Sequence, residues 1–202
     1  MVIRILLADD QALVRGALAA LLALEDDIDV VAEVGRGDEV VEAARASHAD
    51  VCLLDIEMPG ADGIEAAARI RDELPGVRSI IVTTFGRPGY VRRALEAGAG
   101  GFVVKDTPAG ELAEAVRGVC AGRRVIDPSL ASDSLASGAN PLTEREREIL
   151  RECLGGEPIA VVAARVHLTQ GTVRNYLSAA IAKTGASGRV AAARAAEANG
   201  WL

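Results

Sequence analysis

Five polar residues in the first half of the chain have the side chains that phosphoryl transfer needs. Asp9 and Asp10 follow one short apolar run, Asp55 follows another, and Thr83 and Lys105 end or follow two more. A carboxylate can accept a phosphoryl group when a metal ion and a cationic side chain offset the charge on the transferring oxygens. The set therefore indicates a carboxylate nucleophile assisted by a hydroxyl group and an ammonium group.

The elements that must position these side chains alternate regularly over residues 1–121. Short β-branched runs alternate with Ala- and Leu-rich segments of helical spacing, and continuously apolar strands are buried on both faces, as in parallel sheets. This alternation predicts a doubly wound, five-stranded α/β domain. The predicted strands are Val2–Ala8, Ile28–Val34, Asp50–Asp55, Arg78–Thr83 and Gly101–Val104, and the predicted helices are Ala12–Leu24, Gly37–Ala46, Gly63–Glu73, Gly89–Ala97 and Ala109–Ala121.

The carboxyl edge of this sheet is the expected site, because ligands bind there in open α/β folds. With the strand order 2-1-3-4-5, the first and third strands are neighbours, so Asp9, Asp10 and Asp55 should meet. Like charges at this range repel unless they are neutralised, and Mg2+ prefers carboxylate, carbonyl and water oxygens. We therefore expect a Mg2+ site here, with Thr83 and Lys105 on the same rim. The alternative, that each Asp only caps a turn or a helix, suits any one of them but not the whole set.

Composition limits the class of protein. Half of the 202 residues are hydrophobic and 2% are aromatic, so the core must be aliphatic. Residues 1–127 hold 22 acids and 14 bases, whereas residues 128–202 hold 7 acids and 8 bases, which predicts two modules with different partners. No apolar run approaches the roughly 20 residues that span a bilayer, and no signal peptide is recognisable. Three widely spaced cysteines fit free thiols, so we expect a cytoplasmic protein without membrane insertion.

The chain changes character after residue 121. Gly, Pro, Ser and Asp are frequent over residues 122–140, which predicts a linker with a short helix near Ser129–Ala136. Residues 141–202 have helical apolar spacing throughout, and Thr143 with Glu146 has the spacing of a capping box. The later helices predicted in this all-α domain are Pro158–Val166, Gln170–Lys183 and Gly188–Asn199.

The first half resembles the receiver domain of two-component response regulators of the NarL/FixJ (LuxR-type helix-turn-helix) family. The matching stretches are L-L-A-D-D (6–10), L-L-D-I-E-M-P-G-A-D-G (53–63), I-I-V-T-T (80–84) and G-F-V-V-K-D (101–106). The resemblance implies that Asp55 is phosphorylated, that Thr83 is the switch hydroxyl, that Lys105 binds the phosphate and that Phe102 is the aromatic switch. The Mg2+ ligands that it implies are Asp9, Asp10, Asp55 and the backbone carbonyl of Glu57.

The second half resembles the DNA-binding domain of the same family through P-L-T-E-R-E-R-E-I-L (141–150), V-V-A-A-R-V-H-L-T (161–169) and G-T-V-R-N-Y (171–176). Its recognition helix should lie in the major groove, with Val173 and Leu177 turned inward. The DNA-contacting residues that the resemblance implies are Thr169, Gln170, Thr172, Arg174, Asn175 and Ser178. Together with T-T-F-G-R-P-G-Y (83–90), the motifs are similar to the desaturase-regulator type within this family.

Two features leave a helical interaction module without DNA as an alternative for residues 141–202. Their charge balance is close to neutral, which is weak for binding a polyanion. Pro158-Ile159-Ala160 also replaces the polar, Lys-containing run that relatives have at this point, and Ser178 stands where relatives often have Lys.

The sequence thus predicts a receiver domain at 1–121, a linker at 122–140 and a LuxR-type helix-turn-helix domain at 141–202. A sensor histidine kinase would phosphorylate Asp55, Thr83 would move towards the phosphoryl group and Phe102 would turn inward. The expected output is a homodimer on promoter double-stranded DNA, with RNA polymerase as a further candidate partner and no enzymatic activity beyond the chain's own phosphoryl transfer and dephosphorylation. The dimer face is open between the first and fifth helices and the fourth helix, fifth strand and fifth helix. The alternative function is a phosphorylation-independent regulator whose receiver serves only for interaction.

Overall fold

The structure is a computed structural model that describes residues 2–84, 88–127 and 140–202. These residues gather in two compact units. In the first unit, six parallel strands form one sheet in the order β2-β1-β3-β4-β5-β6. The strands are β1 (Ile3–Ala8), β2 (Ile28–Val34), β3 (Val51–Leu54), β4 (Arg78–Thr83), β5 (Gly101–Val104) and β6 (Val125–Ile126). The predicted parallel sheet is therefore confirmed.

Within the described residues, the sixth strand is an addition to the five that were predicted. Gly101 and Phe102 of β5 pair with Val125 and Ile126 of β6, within the segment that the sequence assigned to the linker. Without β6, the backbone groups at the edge of β5 would remain unpaired. A strand of two residues is too short to show a sequence period, so the sequence does not reveal it. The sheet therefore extends past the predicted domain boundary at residue 121. The short helix predicted near residues 129–136 lies outside the described residues.

Two layers of helices cover the sheet. The helices are α1 (Ala12–Leu22), α2 (Val40–Ser47, after a 3-10 turn at Gly37–Glu39), α3 (Gly63–Glu73), α4 (Pro88–Glu96) and α5 (Ala109–Cys120). Side chains alternate between the faces of a strand, and Ile3, Ile5 and Leu7 of β1 lie in one core cluster with residues of α1 and α5. The residues between them on β1 face the opposite layer, where α2 and α3 pack against each other.

The second unit is helical and consists of α6 (Glu144–Arg151), α7 (Ile159–Arg165), α8 (Gln170–Thr184) and α9 (Arg189–Ala198). The predicted capping box is present: Glu146 N donates to Thr143 Oγ1 over 3.3 Å, and Thr143 N donates to a Glu146 carboxylate oxygen over 2.6 Å. That carboxylate is buried and also accepts from Lys183 Nζ over 2.7 Å. The ion pair therefore ties the start of α6 to the end of α8.

Two further expectations concern the chain as a whole. The helices of the described residues are too short or too polar to traverse a bilayer. Cys52, Cys120 and Cys153 are all free thiols, as their spacing predicted.

Candidate functional site

Three carboxylates converge at the carboxyl edge of the sheet. One oxygen from each of Asp9, Asp10 and Asp55 lies within 4.8 Å of the others. The register explains this, because Ala8 pairs with Leu54 and these are the residues immediately before Asp9 and Asp55. Asp9 and Asp55 are buried, whereas Asp10 is exposed. The cluster predicted from strand order is therefore present, with one member open to solvent.

Lys105 supplies a positive charge between two of these carboxylates. Its Nζ lies 2.8 Å from Asp9 Oδ2 and 3.2 Å from Asp55 Oδ2, and its side chain is largely buried. Burial lowers the pKa of the Lys105 ammonium group, but the hydrogen bond to Asp9 and the charges of Asp55 and Asp9 outweigh it and raise the pKa overall. Lys105 therefore stays charged at neutral pH.

For the Asp55 carboxyl group, burial has a larger effect on the pKa than the neighbouring charges. Burial raises the pKa of its carboxyl group, and this exceeds the lowering by the charge and hydrogen bond of Lys105, while Asp9 adds to the rise. A carboxylate whose charge is disfavoured in this way gains from any further cation that comes near it.

The donor set fits a hard divalent cation. Three carboxylates and one ammonium group leave a net negative charge, and oxygen ligands are what Mg2+ prefers. Asp10 is exposed and opens the cluster to water, which Mg2+ usually retains as ligand. Glu57 is exposed in the loop that follows β3, next to the buried Asp55 and Ile56. The residues that the sequence selected are thus suitable for the ion.

Thr83 and Phe102 lie on the two strands beside this cluster. Thr83 is the buried last residue of β4, and its carbonyl accepts from Lys105 N over 2.7 Å. Phe102 is fully buried on β5. The apolar ring gains hydrophobic free energy from this burial.

Two residues at the site were missed by the sequence reasoning. Gly63 begins α3 directly over Asp55, and a Cβ atom there would overlap the Asp55 carbonyl oxygen. Arg15 of α1 donates from Nη1 to the Asp9 carbonyl over 2.6 Å and pairs with Glu33 at 3.3 Å. The available signals were the glycine that closes the 53–63 motif and the single charged residue in an otherwise apolar α1.

The recognition helix of the second unit is α8. Thr169 caps it by accepting from Thr172 N over 3.2 Å. Val173 and Leu177 are buried, as predicted. The exposed residues among the six candidates for DNA contact are Thr169, Gln170, Arg174, Asn175 and Ser178, and Thr172 is half-buried. Arg174 and Ser178 follow Gln170 at intervals of four residues, so these three share one face of the helix.

Comparison with known protein families identifies both units. Residues 5–117 match the family described as "Response regulator receiver domain". Residues 140–196 match the family described as "Bacterial regulatory proteins, luxR family". The two matches lie in the halves of the chain where the sequence predicted a receiver and a helix-turn-helix domain.

Several known proteins match this chain over nearly its whole length. The chain is 43% identical to the transcriptional regulatory protein DesR of Bacillus subtilis over 99% of both chains. It is 40% identical to the response regulator RamR of Streptomyces coelicolor over 98% of both. The crystal structure of the response regulator ChrA, from a haem-sensing two-component system, has 34% identity, covers 97% of this chain and 96% of its own, and superposes with a TM-score of 0.60. The chain therefore belongs to the NarL/FixJ family of two-component response regulators, in which a receiver domain precedes a LuxR-type helix-turn-helix domain.

Proposed function

We propose that Asp55 accepts a phosphoryl group from a sensor histidine kinase and that the phosphorylated chain pairs with a second copy to bind promoter DNA. The observation that carries this proposal is the buried Asp55 carboxylate beside Asp9, Asp10 and the Lys105 ammonium group. We propose that residues 1–121 are the receiver, 122–140 the linker and 141–202 the DNA-binding domain. Strand β6, which lies near the start of the linker, belongs to the receiver sheet.

The chemistry is a phosphoryl transfer to a carboxylate. An Asp55 oxygen attacks phosphorus, an O–P bond forms, and the bond from phosphorus to the donor nitrogen of the kinase histidine breaks. Lys105 supplies a positive charge for the phosphoryl oxygens. Asp9, Asp10, Asp55 and the Glu57 carbonyl would hold Mg2+, which when bound supplies further positive charge at the transferring oxygens.

The readout begins at Thr83. A phosphoryl group brings a charge of about −1.5 to −2 and strong acceptor oxygens, and we propose that the Thr83 hydroxyl at the end of β4 donates to one of them. The phosphoryl group can shift the equilibrium between two conformations of the receiver only if it makes different contacts in each of them. Phe102 is fully buried on the neighbouring strand β5, and we propose that its ring is turned inward in the phosphorylated state.

The surface of α1 favours the first of the two dimer faces. Leu13 is 86% exposed and Leu21 is 44% exposed on this helix, and Leu24 just beyond it is 78% exposed. The one charged residue of α1, Arg15, is turned towards Asp9. These exposed leucines on and just after one helix offer apolar area for an interaction surface, and a two-fold pair of identical chains would bury that area.

The test uses acetyl phosphate and Mg2+ as phosphodonor and cofactor, followed by intact-mass measurement. Wild type should gain the mass of one phosphoryl group, and Asp55→Ala should gain none. The phosphorylated wild type should then retard a duplex from upstream of its own gene more strongly than Asp55→Ala does. An equal gain of mass in both proteins would contradict the assignment of Asp55. Equal retardation with and without phosphodonor would favour the phosphorylation-independent regulator.

A further inference from the structure

A pocket of about 270 Å³ lies beside the recognition helix within the helical unit. Its walls come from the first residue of α7, from α8 and from the first residue of α9. The lining residues are Ile159, Arg174, Leu177, Ser178, Ile181 and Arg189. Three aliphatic side chains thus form an apolar surface, and two guanidinium groups and a hydroxyl group supply donors.

Arg189 has donor capacity that its protein contacts do not use. Its Nη2 donates over 3.4 Å to the Gly156 carbonyl and over 3.3 Å to the Glu157 carbonyl. Its Nε is buried and has no hydrogen-bond partner among the described residues. A buried charged donor without an acceptor costs free energy, and a small movement of the Arg189 side chain towards an acceptor in the pocket would relieve that cost.

The start of α9 adds to this donor set. Gly188 precedes the helix and has no side chain to cap it, and the first turn contains no acidic residue. The free N–H groups and the positive end of the helix dipole at such a terminus attract anions. Glu157, whose carbonyl Arg189 touches, pairs through its carboxylate with Arg165 at 3.5 Å. Its negative charge is therefore engaged by another cation.

We propose that this pocket binds one backbone phosphate of double-stranded DNA, with Arg189 as the main ligand. The inference rests on the proposed DNA binding and adds an anchor outside the recognition helix. The N–H groups of α9 and the Ser178 hydroxyl provide further donors. Ile159, Leu177 and Ile181 provide an apolar surface for the adjoining deoxyribose. Because Pro158-Ile159-Ala160 lacks a basic residue, the countercharge on this side of the groove comes from Arg189.

The assignment predicts a contact without base specificity, since phosphate contacts fix register and do not read sequence. Full-length Arg189→Met should bind a fluorescent duplex from upstream of the gene more weakly. It should weaken binding by the same factor to a scrambled duplex. The slope of log affinity against log salt should fall by about 1, because one phosphate contact is lost. Arg189→Lys should keep most of the slope, because an ammonium group also binds phosphate.

Arg194→Met is the matched control. Arg194 is exposed on the same helix and does not line the pocket, so this variant loses the same charge and should keep the wild-type slope. If Arg189 only supports the loop at Gly156 and Glu157, Arg189→Met will unfold at lower temperature but retain the wild-type slope. That result, or an equal loss of slope in Arg194→Met, would overturn the proposal.

A titration with inorganic phosphate distinguishes a site for the DNA backbone from a site for a free anion. In a titration followed by the NMR signal of Arg189 Nε, we expect only weak, unsaturated changes in the millimolar range. Saturation by inorganic phosphate, together with an unchanged DNA slope in Arg189→Met, would assign a free-anion site instead. If wild type binds no duplex in either phosphorylation state, the proposed function itself fails. If wild type binds and Arg189→Met keeps its slope, only this inference fails.

Discussion

The Lys105 ammonium nitrogen lies 2.8 Å from an Asp9 carboxylate oxygen, closer than to the proposed phosphoacceptor Asp55 at 3.2 Å. One cationic side chain thus already partly neutralises the acidic cluster. A metal ion that binds in the cluster is therefore attracted less strongly than it would be without Lys105. Lys105, which is proposed to bind the phosphoryl oxygens later, therefore competes with the metal ion for these carboxylates beforehand.

This competition predicts that Lys105→Met binds Mg2+ more tightly than wild type. The variant leaves Asp9 and Asp55 buried without their countercharge, which should destabilise the receiver by about 3 kcal/mol in the absence of divalent cation. Mg2+ should restore more stability to the variant than to wild type. Calorimetric titration with Mg2+ and thermal unfolding with and without the ion measure both effects. Lys105→Arg, which keeps the charge, is the control, and unchanged or weaker Mg2+ binding by Lys105→Met would contradict the competition.

Gly63 should tolerate no side chain. The Cβ atom of Gly63→Ala would overlap the Asp55 carbonyl oxygen, so either α3 or the backbone of Asp55 must move. We expect a loss of about 1–3 kcal/mol in stability and slower phosphorylation by acetyl phosphate. Chemical denaturation and intact-mass time courses measure the two effects.

Gly110→Ala is the control for Gly63. Gly110 lies near the start of α5, and nothing lies within 4 Å of a Cβ atom placed there, so alanine should be neutral or slightly stabilising. Wild-type kinetics in Gly63→Ala would show that the close approach to Asp55 has no bearing on its reactivity.

The buried Glu146 should make the helical unit sensitive to acid. Burial raises the pKa of Glu146, but hydrogen bonds from Lys183 and Thr143 outweigh it and lower the pKa below the ordinary value of 4.5. A carboxylate with a lowered pKa in the folded state contributes stability above the unfolded value, and that contribution disappears as pH falls through the folded value. Stability should therefore be constant from neutral pH down to about 5 and fall below about 4.5.

Glu146→Gln removes this titration. The variant should lose about 1–2 kcal/mol at neutral pH and show a shallower fall of stability in acid. Trp201 is the only tryptophan and packs against the core of the helical unit, so its fluorescence follows the unfolding of that unit alone. An acid limb as steep in Glu146→Gln as in wild type would mean that other carboxylates cause it.

Leu13 should decide the dimer face. Leu13→Glu places a charge at a position that is 86% exposed in the single chain and that the proposed pair of α1 helices would bury. We expect normal phosphorylation of Asp55 but no dimer by sedimentation velocity. Ala46→Glu, at an exposed position of α2, should dimerise like wild type. A dimer of normal strength in Leu13→Glu would favour the face formed by α4, β5 and α5.

Much of this molecule was predictable because its signals are local and repeated. Strands Ile28–Val34, Arg78–Thr83 and Gly101–Val104 have their predicted bounds, since continuous β-branched runs between turn residues mark buried parallel strands clearly. The capping box at Thr143 and Glu146 is equally local. The convergence of Asp9, Asp10 and Asp55 followed from strand order alone, because the carboxyl ends of neighbouring parallel strands meet at one edge.

The sequence by itself determined which residue types stand at the ends of the strands and which face of α8 is polar. Only the tertiary structure decided that Lys105 lies nearer to Asp9 than to Asp55 and that Gly63 lies against the Asp55 carbonyl. It also decided that the Nε of Arg189 has no hydrogen-bond partner in the described part of the chain. Periodicity specifies the direction of a side chain relative to its own element. Distances between side chains of different elements depend on how those elements pack, and no period in the sequence encodes that packing.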